Sequence, residues 1–93
     1  VRVGYNTIIG NQEKASMKVN DKVKGSYCNV TFSGTISYIR MLTVPTDGAF
    51  EVTVILDEEV EIFSTIRERL LLVVKHDGSP SSYTGYSEWL RVL

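Results

Sequence analysis

From Phe50 to Leu56 the apolar residues fall on every second position, with Phe50, Val52, Val54 and Leu56 alternating with Glu51, Thr53 and Ile55. A period of two is that of a half-buried β-strand, whose successive side chains point to opposite faces. The same pattern recurs along the chain. Val23, Gly25 and Tyr27 alternate with Lys22, Lys24 and Ser26, and residues 35–44 are rich in β-branched and aromatic side chains. Val1, Val3, Tyr5 and Ile9 share odd numbering, which predicts an extended N-terminal segment. The run at residues 70–74 predicts the most buried strand, and residues 89–93 a closing one. Residues 13–20 accommodate either a helical turn or an extended segment. A chain patterned in this way is all-β, and at 93 residues it is a single domain around one core.

Turn chemistry sets the expected connections. Pro45-Thr46-Asp47-Gly48 is the clearest turn, because proline presets φ and Asp-Gly favours reversal. Asn20-Asp21 and Ser33-Gly34 read as further turns, the latter a two-residue hairpin between strands at 28–32 and 35–44. Asp57-Glu58-Glu59 interrupts a strand that resumes at residues 60–63. Ser64 is placed to cap one short helical turn over residues 65–69, with Glu68 assisting. Residues 76–82 form a loop by composition.

Charge and residue counts exclude more than they identify. The apolar run at 70–74 is far shorter than the roughly 18 residues of a membrane helix, and residues 1–10 lack the basic start and apolar stretch of a signal peptide. One cysteine, Cys28, and one histidine, His76, leave no internal disulfide and no paired-histidine or cysteine-based metal site. The lone cysteine favours an intracellular setting. Cys28 is expected to be a small buried thiol and His76 lies in a turn beside Asp77, so neither supports nucleophilic catalysis; the expectation is no enzyme, cofactor or metal. Asn29-Val30-Thr31 matches a glycosylation acceptor, a pattern common by chance. Up to Thr46 six basic residues face two acids (+4), whereas from Asp47 onward four face nine (−5).

Three stretches carry a resemblance. Val19-Asn20-Asp21-Lys22-Val23-Lys24-Gly25-Ser26-Tyr27, then Phe32-Ser33-Gly34-Thr35-Ile36, then Glu51-Val52-Thr53-Val54-Ile55-Leu56-Asp57-Glu58 resemble Tudor-like and chromo-barrel modules. The resemblance covers about residues 19–74. With the compact meander, it implies a small SH3-like barrel of five to seven short strands and one short 3₁₀ turn, with flanking strands at both ends; an immunoglobulin-like β-sandwich is the alternative. In such modules aromatic faces attract a basic group beside a carboxylate, which here implies a groove of Tyr27, Phe32, Tyr38, Asp57 and Glu59, with Phe63 near the acidic turn. The chain departs from the pattern where Asp57-Glu58-Glu59 replaces a further aromatic. The implied function is a non-enzymatic module that binds a protein or basic peptide through that groove or through an edge strand, with no membrane partner. Two alternatives stand beside it: a nucleic-acid-binding domain using Lys14, Lys18, Lys22, Lys24 and Arg40, and a structural or assembly subunit. Tyr83, Tyr86 and Trp89 form a second aromatic set, suited either to docking or to capping the fold. The expected core is Val23, Ile36, Val52, Val54, Leu70 and Leu72.

Overall fold

The computed structural model describes residues 17–43 and 48–93. The expected strand at residues 1–9, Lys14, and Pro45, Thr46 and Asp47 of the expected turn lie outside them. Five antiparallel strands make one open sheet: β1 (Lys22–Tyr27), β2 (Val30–Met41), β3 (Ala49–Ile62), β4 (Thr65–Lys75) and β5 (Trp89–Val92). The order across the sheet is β4-β3-β2-β1-β5, so the first four strands form a meander and the fifth returns beside the first. No α-helix occurs among the described residues; a 3₁₀ turn at Ser82–Thr84 precedes β5.

Two tight hairpins set this meander. Cys28 and Asn29 carry φ of 51° and 66° between the paired residues Tyr27 and Val30. Phe63 and Ser64 do the same at 51° and 64° between Ile62 and Thr65. Positive φ at both central residues is the primed turn whose twist matches that of its flanking strands. These positions correct two expectations. Ser33-Gly34 is no turn but the middle of β2, where Gly34 lies opposite Leu56. A Cβ at Gly34 would collide with the Ile55 carbonyl and Val54 Cγ1, so this glycine answers a close backbone approach. Residues 65–69 are strand rather than helical turn, because pairing with β3 overrides their local preference. The helical turn sits later in the chain, where buried Ser81 caps it by accepting from the Tyr83 N–H at 3.1 Å.

Two irregularities bend the sheet. The β2–β3 register shifts between Ile36 and Tyr38, leaving Ser37 as an extra residue. In the β3–β4 pair, Leu56, Asp57, Glu58 and Glu59 stand opposite the single residue Glu68. The acidic segment is therefore a large bulge inside one long strand, not a break between two. Bulges of this kind increase local twist and re-aim side chains.

Burial follows the period of two. All six expected core residues are buried, joined by Phe32, Val74, Leu90, Ile62 and Met17. The run at 70–74 is one-sided, however: Leu70, Leu72 and Val74 point inward, while Leu71 is half exposed on the outer face. Gly25 pairs with Phe32, and a Cβ at Gly25 would meet the Phe32 ring tip at 2.9 Å and Leu90 Cδ2 at 2.8 Å. Only glycine lets Phe32 and Leu90 close over β1. The loop after β4 ties the two outer strands together. Its Gly78 carbonyl accepts from the Leu90 N–H at 2.8 Å, and Glu88 Oε1 accepts from the Val73 N–H at 3.1 Å.

Candidate functional site

Lys24 lies on the exposed face of β1, because its neighbours Val23 and Gly25 take the inward phase. Ser33 is its partner on β2 and shares that face. One strand further on, the acidic bulge of β3 rises from the same surface. Between them is a groove of about 440 Å³, with Lys24, Thr31, Phe32 and Ser33 on one side and residues 57–60 on the other. That volume is within the range of about 300–1,000 Å³ of small-molecule sites.

Charge is distributed unevenly around this groove. Lys22 Nζ holds Asp57 Oδ1 at 3.0 Å, across to β3. Among the described residues Lys24, Glu58 and Glu59 form no ion pair. The groove thus presents an amine and two hydroxyls facing two carboxylates, with a third carboxylate already neutralised. Such a lining can bind a small polar molecule through charge-assisted hydrogen bonds.

The expected aromatic set does not assemble. Phe32 is core, Tyr27 packs half-buried against that core, and Tyr38 is half exposed on the outer face beyond the Ser37 bulge. Phe63 is 85% exposed at the tip of the β3–β4 hairpin. Of the five residues expected in the groove, Phe32, Asp57 and Glu59 line it, whereas Tyr27 and Tyr38 do not. Tyr83 and Tyr86 are exposed around the 3₁₀ turn, and Trp89 is half-buried on β5.

The expected basic set is largely spoken for. Lys18 meets Asp21 at 3.4 Å, Lys22 meets Asp57, and Arg40 meets Glu51 at 2.8 Å. Lys24 alone of the described members faces the groove. Cys28 is exposed in its turn rather than buried, and no three His, Cys, Asp or Glu side chains converge on a cation position among the described residues.

Among the described residues three carboxyl or guanidinium groups have perturbed proton affinity. The Glu51 hydrogen bond and charge raise Arg40. The Ser79 hydroxyl and N–H hold Asp77 below the usual carboxylate range. Burial pushes Glu88 up, against the opposing Val73 N–H. None of the three lines the groove, so these shifts report structural contacts rather than the site.

Sequence reasoning missed Thr31, Ser33, Glu58 and Val60 as groove residues and placed Lys24 in a different set. The available signal was phase: Lys24 and Ser33 stand on the polar positions of strands whose alternate residues are apolar.

Comparison with known proteins decides the family. The family model described as "Glyoxalase superfamily protein" matches residues 3–89. The chain belongs to the glyoxalase superfamily. No curated protein and no solved structure matches it. Membership overturns the Tudor-like resemblance and, with it, the peptide-binding, nucleic-acid-binding and assembly readings built beside it. The exclusion of enzymatic activity falls as well, since the superfamily takes its name from an enzyme. The physical reason for the misreading is plain: alternation with glycines is common to twisted antiparallel sheets, and the hairpin that anchored the resemblance lies elsewhere, at Cys28-Asn29. The superfamily is described by a βαβββ unit. The described residues of this glyoxalase-superfamily chain form only the antiparallel β part of such a plan, as their apolar spacing of two dictates.

No candidate membrane-spanning helix is found among the described residues.

Proposed function

We propose that the protein is a small-molecule-binding member of the glyoxalase superfamily, with its ligand in the groove between Lys24 and the acidic bulge. The observation that carries this reading is the facing of an amine and hydroxyls, Lys24, Thr31 and Ser33, by carboxylates, Glu58 and Glu59, none of which is ion-paired among the described residues, across a concave surface of suitable size. If the chain turns over its ligand, Glu58 and Glu59 are the groups placed to move a proton and Lys24 the group placed to stabilise negative charge. The described residues do not supply a three-ligand cation site.

The experiment is a two-dimensional amide NMR titration with polar fragments of metabolite size. Shifts concentrated at Lys24, Ser33 and residues 58–60 support the reading. Shifts concentrated at the Phe63 tip or around Tyr83 and Tyr86, or no shifts at all, overturn it.

The SH3-like barrel implied by the Tudor-like resemblance falls with it: the five strands make an open antiparallel sheet, whose two edge strands are joined through the Glu88 and Gly78 hydrogen bonds. An intracellular setting is supported by the exposed free thiol of Cys28, which an oxidising compartment would tend to cap.

A further inference from the structure

Lys24 and Arg91 are direct cross-strand partners in the β1–β5 pair. Both are exposed, on the face opposite the buried Val23 and Leu90. Directly opposed like charges disfavour a sheet, and among the described residues neither side chain meets a carboxylate within ion-pair distance. Their neighbour Lys22 shows the ordinary solution, a carboxylate at 3.0 Å. Two cations therefore stand abreast, with Lys24 between Arg91 on one side and Ser33, in the groove lining, on the other. At the other side Glu58 and Glu59 have no cation partner among the described residues, and the groove keeps them beyond ion-pair reach of Lys24. What is lacking at each side is the opposite charge.

Resting on the small-molecule reading above, we infer that the groove's ligand is a small zwitterion, whose anionic group lies against Lys24, with Arg91 adding positive charge from beyond it, and whose cationic group lies against Glu58 and Glu59. The anion relieves the Lys24–Arg91 repulsion and accepts hydrogen bonds from the Lys24 amine and the Ser33 hydroxyl. The cation offsets the two carboxylates. Neither half of such a molecule satisfies both sides alone. Arg91 stands outside the groove lining proper, so its role is to double the positive charge beside Lys24.

The test uses three probes of one length: 4-aminobutyrate, butyrate and butylamine, titrated at low ionic strength with amide NMR as the readout. The zwitterion binds about tenfold more tightly than either singly charged probe, the increment of one further charge-assisted contact. Arg91→Gln carries the second arm. It weakens 4-aminobutyrate several-fold without changing butylamine, yet raises the melting temperature of the ligand-free protein by about 1–5 °C, because it removes the opposed like charge. A residue that merely supported the fold would lower the melting temperature. If butyrate or butylamine binds the groove as well as the zwitterion does, the zwitterion assignment is wrong while the small-molecule site stands. If Arg91→Gln leaves zwitterion binding intact or destabilises the free protein, the assignment is likewise wrong. If none of the three probes moves the groove amides while other polar fragments do, again only the zwitterion fails. If no polar fragment moves them, both readings fail together.

Discussion

Gly78→Ala separates two costs that glycine normally hides. Gly78 has φ of +86°, and a Cβ built there would run into the Leu90 carbonyl, with its carbon at 3.0 Å. The same residue's carbonyl accepts the Leu90 N–H at 2.8 Å, the bond that joins the loop after β4 to the start of β5. Gly85 provides the internal control. Its φ is +67°, but nothing lies within 4 Å of a Cβ at that position. Alanine at either site carries a left-handed cost of about 1–2 kcal/mol. Alanine at either site also removes similar freedom from the unfolded chain, worth about 0.4–1 kcal/mol in the opposite direction. These terms cancel in the comparison. What remains at Gly78 is the collision with backbone, which cannot swing aside as a side chain can, and the loss of the Leu90 hydrogen bond, about 0.5–1.5 kcal/mol.

Gly78→Ala is thus about 1–3 kcal/mol worse than Gly85→Ala, the excess being the hydrogen bond plus the backbone shift. Urea unfolding of the two variants beside the parent measures it, and in a domain of this size each kcal/mol is about 4–8 °C in melting temperature. Amide exchange at Leu90 provides the local check, since its N–H loses its acceptor only in Gly78→Ala. Equal destabilisation of the two variants, with Leu90 still protected, would refute the claim that this loop is braced against β5.

Other expected outcomes are independent of that loop. Leu72→Ala costs about 2–5 kcal/mol in urea unfolding, as its side chain is fully buried at the centre of β4. Phe63→Asn combined with Ser64→Gly stabilises the protein by about 1–2 kcal/mol, because both residues hold positive φ in a primed turn and Phe63 is 85% exposed; thermal unfolding measures the gain. Burial raises the Glu88 carboxyl in the folded state, so protonation favours folding, and stability from this group is present below the ordinary value of 4.5 and is lost as pH rises through the raised one. Glu88→Gln keeps an oxygen for the Val73 N–H and removes that decline, which stability measured against pH from 4 to 8 detects.

The strand phases were legible because one face of the sheet is buried. A one-residue slip would have moved Val23, Ile36, Val52, Val54, Leu70 and Leu72 to the solvent together, so six apolar residues agree on one phase. The turns were not legible to the same degree. Glycine marks either a reversal or a close approach, and at Ser33-Gly34 the second meaning holds, in contact with the Ile55 carbonyl. Cys28 and Phe63 carry the actual reversals alongside Asn29 and Ser64, and neither cysteine nor phenylalanine is a residue that turn chemistry would nominate. Residues 65–69 include strong helix formers, and only the ladder with β3 makes them strand. Three of the five expected groove residues line the site, but for a reason other than the one expected: Phe32 contributes from the core rather than as an open aromatic face. The family was not legible at all, as no motif of spaced chemical groups announces it.

The bulge explains both the exposed arm and the site. Four residues of β3 oppose one of β4, an excess of three. An odd excess exchanges the faces of the partner strand. Before the bulge even-numbered residues pair with even, as Val52 with Leu72 and Val54 with Leu70; beyond it Val60 pairs with Arg67 and Ile62 with Thr65. Ile66 has the same parity as Leu70 and Leu72, yet it is 58% exposed because it now shares a face with Glu61. The β3 side keeps its own phase, so Ile62 still reaches the core. Residues 57–59 are thereby released from the β4 ladder, and their carboxylates face the groove that Lys24 and Ser33 line from the other side. A regular hairpin with the same composition would hold those acids in register along a strand and leave no concave surface between them and Lys24. The departure from regular pairing is what turns an acidic stretch of strand into one wall of a binding site.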